Sequence, residues 1–185
     1  MGRPRKNAEE LHTYVGVLVE SFDIQSEASL NTNLRLARPI LYEIDDLAYE
    51  FITTLTITGT CIYPKERKDH SCEVVFRGSE IHAGEHSLTL KDFQARDKHG
   101  VHVYKQYRGE SIPVFEPPPG IAVINKRRGE NAWDSWVCVN KQIINDILIT
   151  LTHISPVYIS IHEKKKDRQR WIQSISVQTS NPEEE

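Results

Sequence analysis

Residues 49–63 read YEFITTLTITGTCIY, and the alternation within them decides the fold class. Phe51, Thr53, Leu55, Ile57, Gly59 and Cys61 occupy every second position. Period two sends successive side chains to opposite faces of a pleated strand. The same habit returns in VYIS at 157–160 and WIQSISV at 171–177. This pattern predicts a β-rich globular domain and carries no chemistry of its own.

Working outward, the strand ends at Pro64 and the charged loop KERKDH, and SCEVVF at 71–76 is its natural antiparallel partner in a hairpin. Upstream, residues 12–24 (HTYVGVLVESFDI) read as a first strand with Val15, Val17 and Val19 on one face, and polar residues 26–33 break it. Leu36, Ile40, Ile44 and Leu47 have helix-like spacing, which Pro39 divides into two short pieces. Downstream, SLTLKDF at 87–93 and HVYKQY at 102–107 read as strands joined by RDKHG, after a glycine-bearing loop at 77–86. Three prolines at 117–119 favour a stiff extended segment leading into IAVI at 121–124. Residues 140–154 are a helix candidate: Ile143, Ile144, Ile147, Leu148 and Leu151 form one stripe, Asn140 can cap, and Pro156 follows the end. The β-branched run ILITL makes a strand the rival reading.

These elements predict a mainly β fold, a sandwich or open barrel of antiparallel strands with one or two helices packed on it. The expected core is Leu55, Ile57, Ile62, Val74, Phe76, Val137, Ile147, Leu151, Ile159 and Ile175. The 185 residues suit one domain at 11–180, between a flexible basic and polar arm at 1–10 and an acidic tail at 181–185. A chain of this length buries roughly 70% of its unfolded surface, so folding requires no metal or disulfide.

Charge and cysteines bound the function classes. The net charge is −3, so attraction to nucleic acid or an anionic membrane must come from a local patch. The apolar stretches are too short to span a bilayer, and residues 1–10 lack signal-peptide form. Three cysteines, Cys61, Cys72 and Cys138, form an odd set. Free thiols in a reducing cytoplasm are the expectation.

The basic residues fall in clusters. Gly2-Arg3-Pro4-Arg5-Lys6 resembles the core of an AT-hook, whose arginines lie along the minor groove of A/T-rich DNA; here Met1 stands where that motif has a further arginine. Lys126, Arg127 and Arg128 form a second cluster, and Lys164, Lys165, Lys166, Arg168 and Arg170, beside Trp171, a third. Such loops suit phosphate backbones. They equally arise because hairpin tips face water and edge lysines block aggregation.

Other constellations are weaker. Cys61, His70, Cys72, His82 and His86 have zinc-ligand chemistry without zinc-ligand spacing, so no metal site is assigned. Cys72 with His70, and acids such as Glu73, Asp92 and Asp97, lack a nucleophile elbow or phosphate loop to position them, so no catalytic residue and no cofactor are assigned. Trp133 and Trp136, three apart, should face opposite sides of a strand, one in the core. The leading expectation is a non-catalytic interaction or assembly domain, binding a protein partner or a second copy by pairing sheet edges. The alternative is a nucleic-acid-binding accessory protein that uses Arg3, Arg5, Lys6 and the two basic loops. An enzyme or metal protein of unfamiliar type ranks last.

Overall fold

The computed structural model describes residues 11–30, 49–79, 93–166 and 168–183. Strands β1 (Leu11–Leu30), β2 (Tyr49–Tyr63), β3 (Ser71–Ser79), β6 (Ala122–Lys126), β7 (Ala132–Val139), β8 (Tyr158–Lys166) and β9 (Gln169–Gln178) form one closed barrel. Their order around it is β1-β2-β3-β7-β6-β9-β8, and β8 pairs back onto β1. Strands β4 (Tyr104–Tyr107) and β5 (Glu110–Pro113) make a separate exposed hairpin. Helix α1 (Lys141–His153) is the one α-helix among the described residues.

The mainly β reading holds, and the sheet closes into a barrel. Two points correct the expectation. The seven strands form no sandwich, because β8 hydrogen-bonds β1 and closes the sheet on itself, and the other described sheet is only the two-stranded β4–β5 hairpin. The strands are also not all antiparallel: β3 and β7 run parallel, Ser71 opposite Ala132 through Gly78 opposite Val139. A parallel pair needs a long crossover, here the chain between residues 79 and 132.

The alternating residues of β2 line the interior. Leu55, Ile57 and Cys61 are buried with Val74, Phe76, Val137, Ile159 and Ile161. Leu151 and Ile175 are partly buried and pack against that cluster. Ile62 is half-buried, not core: Cys61 holds the inward position, so its neighbour faces out.

Strand β1 runs six residues further than the sequence suggests. It keeps one apolar face by means of a bulge at Glu20, between Val19 opposite Gly59 and Ser21 opposite Thr58. One extra residue switches the set that shares a face with Leu55 and Ile57 from Val15, Val17 and Val19 to Phe22 and Ile24, which stay exposed beyond the barrel. A Cβ on Gly59 would lie 2.1 Å from the Leu18 carbonyl oxygen, so β1 and β2 approach closely only because that residue is glycine.

Helix α1 closes one end of the barrel. Asn140 caps it, its side chain accepting from the Gln142 backbone N–H at 2.8 Å. Ile144 and Ile147 are buried beneath it. A Cβ on Gly78 would meet Ile144 Cδ1 at 2.9 Å and Lys141 Cα at 3.2 Å, so the helix rests directly on β3. The expected helical pieces at 34–47, most of the strand at 87–93 and the arm at 1–10 lie outside the described residues.

Candidate nucleic-acid interface

The end opposite α1 is built from the starts of β1, β3, β7 and β9 and the ends of β2, β6 and β8. Leu11 opposes Lys165, Ser71 opposes Ala132, Lys126 opposes Trp133, and Lys166 opposes Gln169. Backbone bonds tie the connections together there: Ser71 N–H donates to Asn131 O and Arg127 N–H to Ala132 O, both at 2.9 Å. Residues 64–70, the loop 127–131 and the β8–β9 connection therefore share one end of the barrel. Both basic clusters that the structure describes lie on this end.

The charge of this end is local. Residues 65–73, 126–134 and 163–170 carry eleven Lys and Arg against seven Asp and Glu, whereas the whole chain has 23 against 26. Lys65, Lys68, Lys126, Arg128, Lys165, Lys166 and Arg168 are exposed. Arg127 is partly neutralised at the rim by Glu73 at 2.8 Å and Asp134 at 3.5 Å. Chain enters the barrel here at Leu11, downstream of Arg3, Arg5 and Lys6, which lie outside the described residues.

Beneath the exposed cations lies a plug that the sequence reading misses. Glu163 is fully buried, and one of its oxygens, Oε1, accepts from Arg67 Nη2 at 2.5 Å and from Arg170 Nη1. Arg67 Cζ sits 3.8 Å from the centroid of the Trp133 ring, and Arg170 Cζ 5.6 Å from it. Trp133 Nε1–H donates to His70 Nδ1 at 3.2 Å. Two guanidiniums against one carboxylate leave a positive excess under the end of the barrel. Trp133 is buried and Trp136 exposed, as two residues three apart in a strand require.

Glu163 is an inward residue of β8, which runs on to Lys166, so Lys164, Lys165 and Lys166 belong to a strand end and not to a loop. The signal was present, since Val157, Ile159, Ile161 and Glu163 share one parity. Arg67, in the short 3₁₀ turn Lys65–Arg67, had no such signal.

Of the proposed zinc set, Cys61 and Cys72 are buried together on β2 and β3, while His82 and His86 lie outside the described residues, as does Asp92. The Cys72 thiol donates to Cys61, which holds Cys61 below the usual thiol range, and the nearby Arg67 acts in the same direction. Donating that proton, together with burial, pushes Cys72 up. His70 serves Trp133, and Asp97 accepts from the backbone N–H groups of His99 and Val101 in its own turn. Among the described residues no three His, Cys, Asp or Glu side chains form a metal-binding group. No helix of the described residues is long and apolar enough to cross a membrane.

On the outer surface next to the basic end, Tyr14 and His162 stack with centroids 4.5 Å apart and planes 9° apart. His12 Nδ1 lies 3.0 Å from His162 Nε2, so one ring donates and the other must be an unprotonated acceptor. Comparison with protein-family models, curated proteins and solved structures finds no match.

Proposed function

We propose that this chain is a non-catalytic binding module that engages nucleic-acid phosphates with the basic end of its barrel. The observation that carries this reading is the meeting of Lys126, Arg127 and Arg128 with Lys164, Lys165, Lys166, Arg168 and Arg170 at one end. Clusters scattered over the surface would have argued for solvated tips instead. Lys65 and Lys68 join them from a third segment. The paired Arg67 and Arg170, held by Glu163, supply fixed positive charge behind the flexible lysines. Three cysteines without a disulfide support a reducing, cytoplasmic setting.

The test is fluorescence anisotropy with labelled duplex and single-stranded oligonucleotides across salt. Each duplex phosphate neutralised contributes about −0.9 to the slope of log affinity against log salt. Replacing Lys164, Lys165 and Lys166 by Ala should weaken binding to every sequence and flatten that slope. Wild-type protein that leaves the oligonucleotide free at micromolar concentration in low salt defeats the reading.

The second reading is the assembly domain, which binds a protein partner or a second copy through a sheet edge. Strand β1 favours it. Its first residues, Leu11 to Leu18, pair with β8, but from Glu20 onward only β2 accompanies it among the described residues. That edge carries exposed Phe22 and Ile24. Light scattering that finds a monomer at all concentrations removes self-association.

A further inference from the structure

The barrel has a gap at the end covered by α1. Strand β6 is five residues long; it pairs with β7 through Ile124, Asn125 and Lys126, and with β9 only through Ala122 and Val123. Ile124 is the first β6 residue in register with β7, and the buried Ser135 hydroxyl donates to the Val123 carbonyl at 2.9 Å. Beyond that point β7 continues to Val139 and β9 to Gln178, and among the described residues neither has a strand on the side facing the other. Pro117, Pro118 and Pro119 lack an N–H and so cannot extend the β6 ladder along this line. Pro119 is tied down by Gln173 Nε2, which donates to its carbonyl, and Ile121 N–H donates to Ile172 O at 2.8 Å.

A cleft of about 370 Å³ occupies the gap, within the range of ligand sites. Its walls are the two strand edges, residues 137–139 on one side and 175–177 on the other, and its floor is the buried Phe76 with Ile147 of α1. Ile121 and Ile143 stand exposed at its mouth. Asp146 is the one charged residue in the lining.

We propose that this gap receives an extended segment of another protein as an additional strand, in continuation of β6. Two facing strand edges specify an extended backbone, because that backbone alone presents N–H and C=O groups to both sides at strand spacing. The apolar floor calls for apolar side chains at alternate positions. Asp146 calls for a lysine or arginine where the segment leaves the cleft. This site lies at the opposite end of the barrel from the basic end and does not depend on nucleic-acid binding.

Cys138 provides the readout, because it lines the cleft and is exposed, whereas Cys61 and Cys72 are buried. The full chain is alkylated with N-ethylmaleimide and followed by intact mass, alone and with the peptide Ac-Lys-Val-Thr-Val-Thr-Val-Thr-amide. The peptide at millimolar concentration should slow Cys138 alkylation about threefold or more, as expected for a ligand at twice its dissociation constant. The Glu-for-Lys peptide should protect less. Asp146→Lys, an exposed position with its fold checked by circular dichroism, should reverse that preference. N-methylation of alternate peptide N–H groups should abolish protection. The proposal is overturned if neither peptide protects, if the N-methylated peptide protects equally, or if only the apolar dye anilinonaphthalene sulfonate does. Alkylation that slows with protein concentration, without peptide, would identify a second copy as the occupant and likewise overturn it.

Discussion

Gly59 lies opposite the bulge of β1, and any side chain there collides with the Leu18 carbonyl oxygen. Gly59→Ala should therefore cost roughly 1–3 kcal/mol, the range for overpacking a tight site, and lower the urea midpoint without changing the slope. Glu163 makes a sharper case. Glu163→Ala strips the anion from Arg67, which is only 5% exposed, and should cost about 3–5 kcal/mol. Arg67 Nη1 and Glu163 Oε2 are buried without a hydrogen bond among the described residues, so the pair's desolvation is incompletely offset. The double variant Arg67→Met with Glu163→Leu should accordingly recover most of the loss. A double variant no better than Glu163→Ala would mean that the ion pair itself stabilises the fold. At this scale the sequence was legible wherever period two held. Leu55, Ile57, Val74 and Ile159 are interior because they alternate, and Glu163 could have been found by continuing the same count. Arg67 could not, because a loop residue acquires its neighbours from three other segments.

Among the elements, α1 was legible in spite of its β-branched run. Asn140, the apolar stripe and Pro156 outweigh the propensity of ILITL, and Ile144 and Ile147 fill the end of the barrel. Asn140→Ala removes the bond to the Gln142 N–H and should cost about 0.5–2 kcal/mol, seen as a lower melting temperature. Strand β1 was only half legible. Its outer half lies on an exposed ribbon, where polar Ser26 and Gln25 are as welcome as valine, so burial writes no pattern there. The parallel pairing of β3 with β7 was not legible at all. Both strands alternate in the same way whichever direction the partner runs, and nothing local records a neighbour sixty residues away.

For the whole molecule, the basic end is a product of topology. Lys126, Arg127 and Arg128 meet the β8–β9 connection because β6 lies between β7 and β9. Neither cluster announces the other in sequence, and the net charge of −3 conceals both. Residues 1–10, the expected arm, precede Leu11 in the sequence, and Leu11 lies at this same end. Deleting residues 1–6 should lower affinity for A/T-rich duplex more than for G/C-rich duplex, since narrow A/T minor grooves attract arginine, while stability stays unchanged. Equal loss on both duplexes would reduce the arm to a general phosphate contact.

Closure of the barrel joins the first strand to the eighth, Leu11 through Leu18 against Lys165 through Tyr158. During synthesis, β1, β2 and β3 leave the ribosome long before their remaining neighbours exist, and domains of such distant contacts fold slowly. A chain that stalls before residue 158 thus lacks β8 and β9 and leaves the edge of β1 bare. In that interval the nascent protein is most exposed to pairing with the wrong strand.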